Sequence, residues 1–172
     1  MSTTEKDIAS AVDAGGQHDH HEIPWIRKYV FATDHKMIAK QFMFVSLFFL
    51  VVGGALAGMM RFQLGFPGQP MPGAGILPDA MMAPTPNGAI MLPEFYNSLV
   101  TMHGTIMIFF AIMPLLVGLF GNLLIPLQIG AEDMAFPRLN MASFWLAVPA
   151  GMLMLASFAV EGGAAGAGWT SY

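Results

Sequence analysis

From Leu99 to Gly130 the chain carries no Asp, Glu, Lys or Arg. A helical stretch of that length crosses the ~30 Å hydrocarbon core of a bilayer once, with some tilt. Within it stands His103, the only histidine of the chain set deep in apolar sequence. Burying a polar imidazole in hydrocarbon costs several kcal/mol unless something binds it. What binds this ring decides what the chain does.

The rest of the chain fits a membrane environment. Charged residues make up 10% of the sequence, against about a quarter in soluble domains, and long blocks have none. The charges sit in loops and tails, so the formal net charge of −4 says little about partners. There is no cysteine, which removes disulfides, thiolate metal sites and any inference about redox compartment. Sixteen methionines suit helix interfaces, where an unbranched thioether packs adaptably.

Residues 1–22 are polar and lack both the apolar core of a signal peptide and the Arg-rich amphipathic character of a transit peptide. They read as a disordered cytoplasmic tail, whose His18-Asp19-His20-His21 run is either solvated or an adventitious metal binder. Residues 23–40 mix Trp25, Tyr29 and Phe31 with Arg27, Lys28, Lys36 and Lys40. That combination predicts an interfacial helix and a turn, with Thr33 or Asp34 capping the helix that follows.

Three spans are expected, at about 41–60, 99–127 and 141–160. The first holds Gly54 and Gly58, a G-x-x-x-G step that admits a neighbouring helix or a flat cofactor. Arg61 closes it, as an interface anchor or as a partner for a polar group in the outer layer. Residues 62–93 form an outer loop with seven prolines and no Lys or Arg, which excludes a regular helix. Its Met71, Met81 and Met82, with Met91, are potential Cu(I) ligands, but their irregular spacing favours simple packing. Kinks are expected in the second span at Pro114 and near Pro126. A Gly-rich segment follows the third.

Five of the seven Lys/Arg precede the first span, and Arg138 lies between the second and third. The positive-inside rule places the N-terminus and residues 132–140 in the cytoplasm and the Pro-rich loop outside. His103 then lies in the outer part of the second span. Asn122 and Asp133 lie toward its inner end, Asn122 about 28 Å from His103 along the helix at 1.5 Å per residue. A membrane histidine binds haem iron or another metal, relays protons, or hydrogen-bonds a neighbouring helix. Gly104 beside it leaves room for a macrocycle. Asp133 with Asn122 and Asn140 is either a solvated polar set or a proton entrance, a carboxylate collecting protons below amides that order water.

The strings FATDHKMIAKQF, RFQLG, YNSLVTMHGTIMIFFAIMP and GNLLIPLQIGAEDMAFPRLNMASFW resemble the catalytic subunit I of haem–copper respiratory oxidases, in the cytochrome c oxidase branch. The resemblance runs from Trp25 to Tyr172, the Pro-rich loop excepted. It implies an all-α integral membrane fold in which residues 23–172 supply the first three of twelve helices. It implies that His103 is an axial ligand of the low-spin haem, haem a, and that Arg61 meets that haem's formyl group. Trp169 falls near a tryptophan beside haem propionates. Asp133 falls on the entrance carboxylate of the D proton pathway, with Asn122 and Asn140 on its asparagines. The implied reaction is four-electron reduction of O₂ to water with proton pumping. The implied partners are the remaining helices of subunit I, oxidase subunits II and III, cytochrome c as donor through subunit II, and the lipid bilayer. No nucleic acid is implied, and the setting is a bacterial plasma membrane.

The departures are informative. Gln63 replaces a glutamate of an outer cation site, so that calcium or sodium site is not expected. Met141 replaces a second asparagine, and Glu132 replaces a proline, setting two carboxylates side by side. Phe95 and Ser98 stand where the quinol-oxidising branch carries histidine and glutamine, which argues for cytochrome c. The high-spin haem ligand, the copper histidines of CuB and the cross-linked tyrosine belong to later helices of such a subunit. The segment is therefore expected to be a fragment or one piece of a split subunit, without the O₂-reducing site. Two other readings remain at this level: a ubiquinol oxidase of the same superfamily, and a non-catalytic three-span membrane protein.

Overall fold

A computed structural model of the chain describes residues 24–73, 75, 81–160 and 163–171. The tail assigned to residues 1–22 lies outside the described residues. The chain divides into two units, Met1–Phe31 and Ala32–Tyr172. In the first, a short helix α1 spans Trp25–Tyr29. Its Trp25 and Tyr29 rings lie 5.7 Å apart, and the Lys28 ammonium sits 5.3 Å from the Tyr29 ring centre. Basic heads lying against aromatic rings suit the membrane boundary.

The second unit is a mostly helical membrane fold with three helices long and apolar enough to span a bilayer: His35–Gly65, Pro93–Ile129 and Pro137–Ala159. Helix α2 (His35–Gly65) starts where Asp34 accepts a hydrogen bond from the Met37 N–H at 3.0 Å, satisfying one of the free donors of the first turn. Of the two expected caps, Asp34 is the one used. The helix continues past the apolar run to Gly65.

The second span opens as helix α3 (Pro93–Thr105). A proline at 114 in an α-helix would remove a donor and press its ring on the carbonyl one turn back. From Ile106 to Gly121 the backbone instead winds wider, as two π-helical segments on either side of Met113. The Met113 N–H donates to the carbonyl of Ile108, five residues back. The span then closes as α4 (Asn122–Ile129). Gly130 ends it in the left-handed region at φ 71°, donating back to Pro126, and the chain turns sharply. The third span is α5 (Pro137–Ala156) plus a single 3₁₀ turn, Ser157–Ala159.

Helix α2 packs along the whole second span, and α5 packs on α2 and on residues 106–112. Three glycines set how close the helices come. A Cβ at Gly118 would lie 2.4 Å from the Phe42 ring, and one at Gly151 2.3 Å from the Phe49 ring. One at Gly53 would lie 2.6 Å from the Met107 sulfur. Gly54 and Gly58, by contrast, face open space. Among the described residues the G-x-x-x-G step therefore does not make the helix crossing. Its neighbour Gly53 does.

Between the first two spans a β-hairpin pairs β1 (Met82–Thr85) with β2 (Gly88–Met91) antiparallel. Pro86 and Asn87 form its turn, and the Thr85 hydroxyl donates to the Gly88 carbonyl at 2.7 Å. The segment after the third span folds back onto the second. The Ser98 hydroxyl donates to the Ala164 carbonyl at 2.7 Å, and the Gly168 N–H donates to the Thr101 hydroxyl at 2.9 Å.

Candidate functional site

The expected residues gather at two ends of α2, not in one place. Gly53 and His35 are 18 residues apart on one helix, about 27 Å at 1.5 Å per residue. Each touches a different end of the second span, which fixes the two helices as antiparallel.

At the Gly53 end, His103 Nδ1 lies 2.9 Å from the Gly53 carbonyl oxygen. A carbonyl only accepts, so Nδ1 carries the proton and donates. In the neutral ring this leaves the Nε2 lone pair available, which is the arrangement by which proteins orient a metal-binding histidine. The absence of a side chain at Gly53 serves twice. It lets the second span come close, and it bares the carbonyl that His103 uses.

Beside the imidazole, Gly104 faces Trp169, where a Cβ would sit 3.4 Å from the indole Cδ1. The Trp169 and Phe109 ring centres are 6.2 Å apart. The returning Gly-rich segment thus brings Trp169 against Gly104, the residue next to His103. Arg61 is exposed and is not brought into contact with His103. It does share a helix face with the open glycines, because 54, 58 and 61 follow the i, i+4, i+7 spacing. That face is flat for two turns and ends in a guanidinium.

At the other end, Asp133 lies in the turn after Gly130. Its Oδ1 accepts from the His35 backbone N–H at 3.3 Å, from His35 Nδ1–H at 3.1 Å and from the Met134 N–H at 2.8 Å. Its side chain is still 41% exposed, whereas that of His35 is 3% exposed. Asp34, 58% exposed, has an oxygen 3.8 Å from His35 Nδ1, so two carboxylates flank one buried imidazole. Asn122 donates from Nδ2 to Asn140 Oδ1 at 3.2 Å, joining the second and third spans. Asn140 Nδ2 and His35 Nε2 are buried without a partner among the described residues.

Asp133, Asn122 and Asn140 thus stand at one end of the bundle and His103 with Trp169 at the other. His35 was missed as a site residue. Its sequence neighbours are polar, so nothing local marks it as buried. The signal lay in the FATDHKMIAKQF string itself, where it follows the capping aspartate.

Fold and site together define a multi-pass helical membrane protein with an imidazole oriented by a backbone carbonyl at one end of the bundle and a carboxylate–imidazole cluster at the other. The chain belongs to the family described as Cytochrome C and Quinol oxidase polypeptide I, whose model matches residues 37–172; these are the subunit I polypeptides of haem–copper oxidases. It is 43% identical over 154 residues to cytochrome c oxidase subunit 1 of Synechocystis sp., covering 90% of this chain and 24% of that one. The subunit 1 of Thermostichus vulcanus is 43% identical over 148 residues, covering 86% and 23% respectively. An alternative cytochrome c oxidase subunit 1 of Bradyrhizobium diazoefficiens is 37% identical over 153 residues, covering 89% and 23%. The chain therefore spans about a quarter of the length of the curated relatives it matches.

Proposed function

We propose that this chain forms part of the catalytic subunit of a cytochrome c oxidase, holding one side of a low-spin haem a and the mouth of a proton pathway. One observation carries the haem reading: the hydrogen bond from His103 Nδ1 to the Gly53 carbonyl, which leaves the Nε2 lone pair for a metal. A non-catalytic ring that only bonds a neighbouring helix would need no space beyond that bond. Here the open Gly54–Gly58 face provides room for a flat group, whereas the space expected beside Gly104 is taken by Trp169. His103 would hold the iron, Trp169 and Phe109 would border the ring, and Arg61 would meet polar substituents at its edge. The haem, when bound, supplies one-electron transfer. The high-spin haem and CuB would come from other helices of the complete subunit, with subunits II and III and cytochrome c as partners.

The protein's own contribution to proton uptake is at the opposite end. Asp133 keeps an exposed oxygen while its other oxygen is fixed by three N–H donors. A proton arriving at that exposed oxygen is handed toward Asn122 and Asn140, whose amides bridge two spans. The free Asn140 Nδ2 donor supports a path continuing through ordered water. Protons drawn from the N-terminal side and electrons delivered from the other would make O₂ reduction electrogenic. The N-terminus is assigned to the cytoplasmic face of a bacterial plasma membrane on the Lys/Arg distribution.

Phe95 and Ser98 support cytochrome c over ubiquinol. Both are buried, and the Ser98 hydroxyl is spent on the Glu94 and Ala164 carbonyls, leaving no free donor for a quinone. The test is His103→Ala in the assembled complex. The low-spin haem band is expected to vanish from the reduced-minus-oxidised spectrum; an unaltered spectrum rejects the ligand role. Turnover with reduced cytochrome c against ubiquinol decides the donor.

A further inference from the structure

The sequence scatters Met71, Met81, Met82 and Met91 irregularly through the outer loop and its edge, but the structure gathers them. All four are buried, at 5–7% exposure, in one contiguous cluster whose other fully buried members are Phe95 and Leu99. Met59 and Met60, from the last turns of α2, pack against it.

The main chain, not only apolar packing, brings them together. Met82 and Met91 are direct cross-strand partners in the hairpin, the position at which side chains on one face lie closest. The Leu92 N–H donates to the Met81 carbonyl at 3.2 Å, and the Met71 N–H donates to the Ala89 carbonyl at 3.0 Å. Three separate segments are thus tied into a fixed arrangement that places four thioethers on one interior. An apolar cavity of about 230 Å³ adjoins Met81, with Met59 and Phe95 also in its wall.

Methionine is a costly choice for packing alone, since it loses about twice the rotamer freedom of leucine on burial. What it adds is a soft, neutral sulfur donor, and soft thioethers select Cu(I) among biological metals. Residues 62–93 carry no Lys or Arg to repel a cation, and neutral ligands leave a monovalent ion as the only charge to be buried.

We infer that Met71, Met81, Met82 and Met91 form a thioether site for Cu(I), at the same end of the bundle as His103 but built from other residues and not dependent on the haem reading. Thioethers have no proton to lose, so binding here is independent of pH, unlike binding at any imidazole or carboxylate site.

Silver(I), a redox-inert stand-in for Cu(I), is the probe. The purified membrane assembly is loaded at pH 5.5 and at pH 7.5 and compared with Met82→Leu/Met91→Leu, a volume-conserving change that the packing tolerates. The double variant is expected to bind one equivalent less silver at both pH values. X-ray absorption at the silver edge is expected to lose a sulfur-only ligand shell. Equal silver in the two proteins, or a wild-type spectrum with no sulfur-only shell, overturns the site. Should the double variant fail to assemble, Met71→Leu, on a different segment, is read in the same way.

Discussion

At Asp133 one carboxylate oxygen takes three N–H donors while the residue stays partly open to solvent. Such a group is held in place without being sealed off. Asp133→Asn keeps the size, and its carbonyl oxygen can still accept those donors, but the side chain no longer takes up protons. The variant is therefore expected to keep the haem spectrum while turnover and proton uptake fall by about 10²-fold, the lower end of what a positioned acid–base group contributes. Stopped-flow proton uptake with a pH indicator dye checks this, and uptake at the wild-type rate would remove Asp133 from the path. The capping aspartate next to His35 has a different duty. Asp34→Ala removes the acceptor for the Met37 N–H and is expected to cost about 1 kcal/mol, read as a lower thermal midpoint with uptake kinetics preserved. Both carboxylates approach the same ring nitrogen, His35 Nδ1, so the pair of variants separates a structural role from a proton-handling one.

At the level of elements, glycine positions decide which helix faces close on each other. Gly118 and Gly151 sit against the Phe42 and Phe49 rings at distances no Cβ tolerates. Gly118→Ala or Gly151→Ala forces those buried rings to move, at about 1–3 kcal/mol each. Gly54→Ala meets nothing in the three-helix unit and gains helix propensity. It is expected to leave thermal stability in place while lowering haem occupancy, because it narrows the face proposed to receive the macrocycle. Pyridine haemochrome quantitation, run beside thermal melts of the three variants, separates the outcomes. Unchanged haem content in Gly54→Ala would assign that face to another helix. The second span shows how an element absorbs a residue that should break it: the wide winding from Ile106 to Gly121 carries Pro114 within a continuous helix.

For the whole molecule, the antiparallel first and second spans put His103 and Asp133 toward opposite membrane faces. With the cytoplasm on the N-terminal side, a cysteine at Glu132 is expected to react with a membrane-impermeant maleimide only in inverted vesicles, and one at Asn87 only in intact cells. The chain has no native cysteine to interfere. The opposite labelling pattern would reverse the orientation and with it the assignment of proton and electron sides. The returning segment after the third span matters at this scale too. Its two hydrogen bonds to Ser98 and Thr101 hold Trp169 against Gly104, joining the chain's far end to the histidine that precedes it by more than sixty residues in sequence.

The three apolar helices and the family were legible in the residues alone, and the cap was narrowed to Thr33 or Asp34, of which the structure uses Asp34. Hydrocarbon length, the absence of charge and capping chemistry are local properties, readable one window at a time. His103 was legible for the same reason, since a polar ring in an oily window needs a partner wherever the helix goes. The partner itself, a carbonyl bared by Gly53 fifty residues earlier, depends on how two helices cross. So do the burial of His35 beneath Asp133 and the open face at Gly54 and Gly58. The hairpin, which turns at Pro86-Asn87, had no turn signal that stood out among the prolines of this loop. Its strand register then made neighbours of methionines whose spacing along the chain suggested nothing. Sequence determines what each segment must bury or cap; which distant groups meet is a property of packing, because contact depends on separation in space, which no single window records.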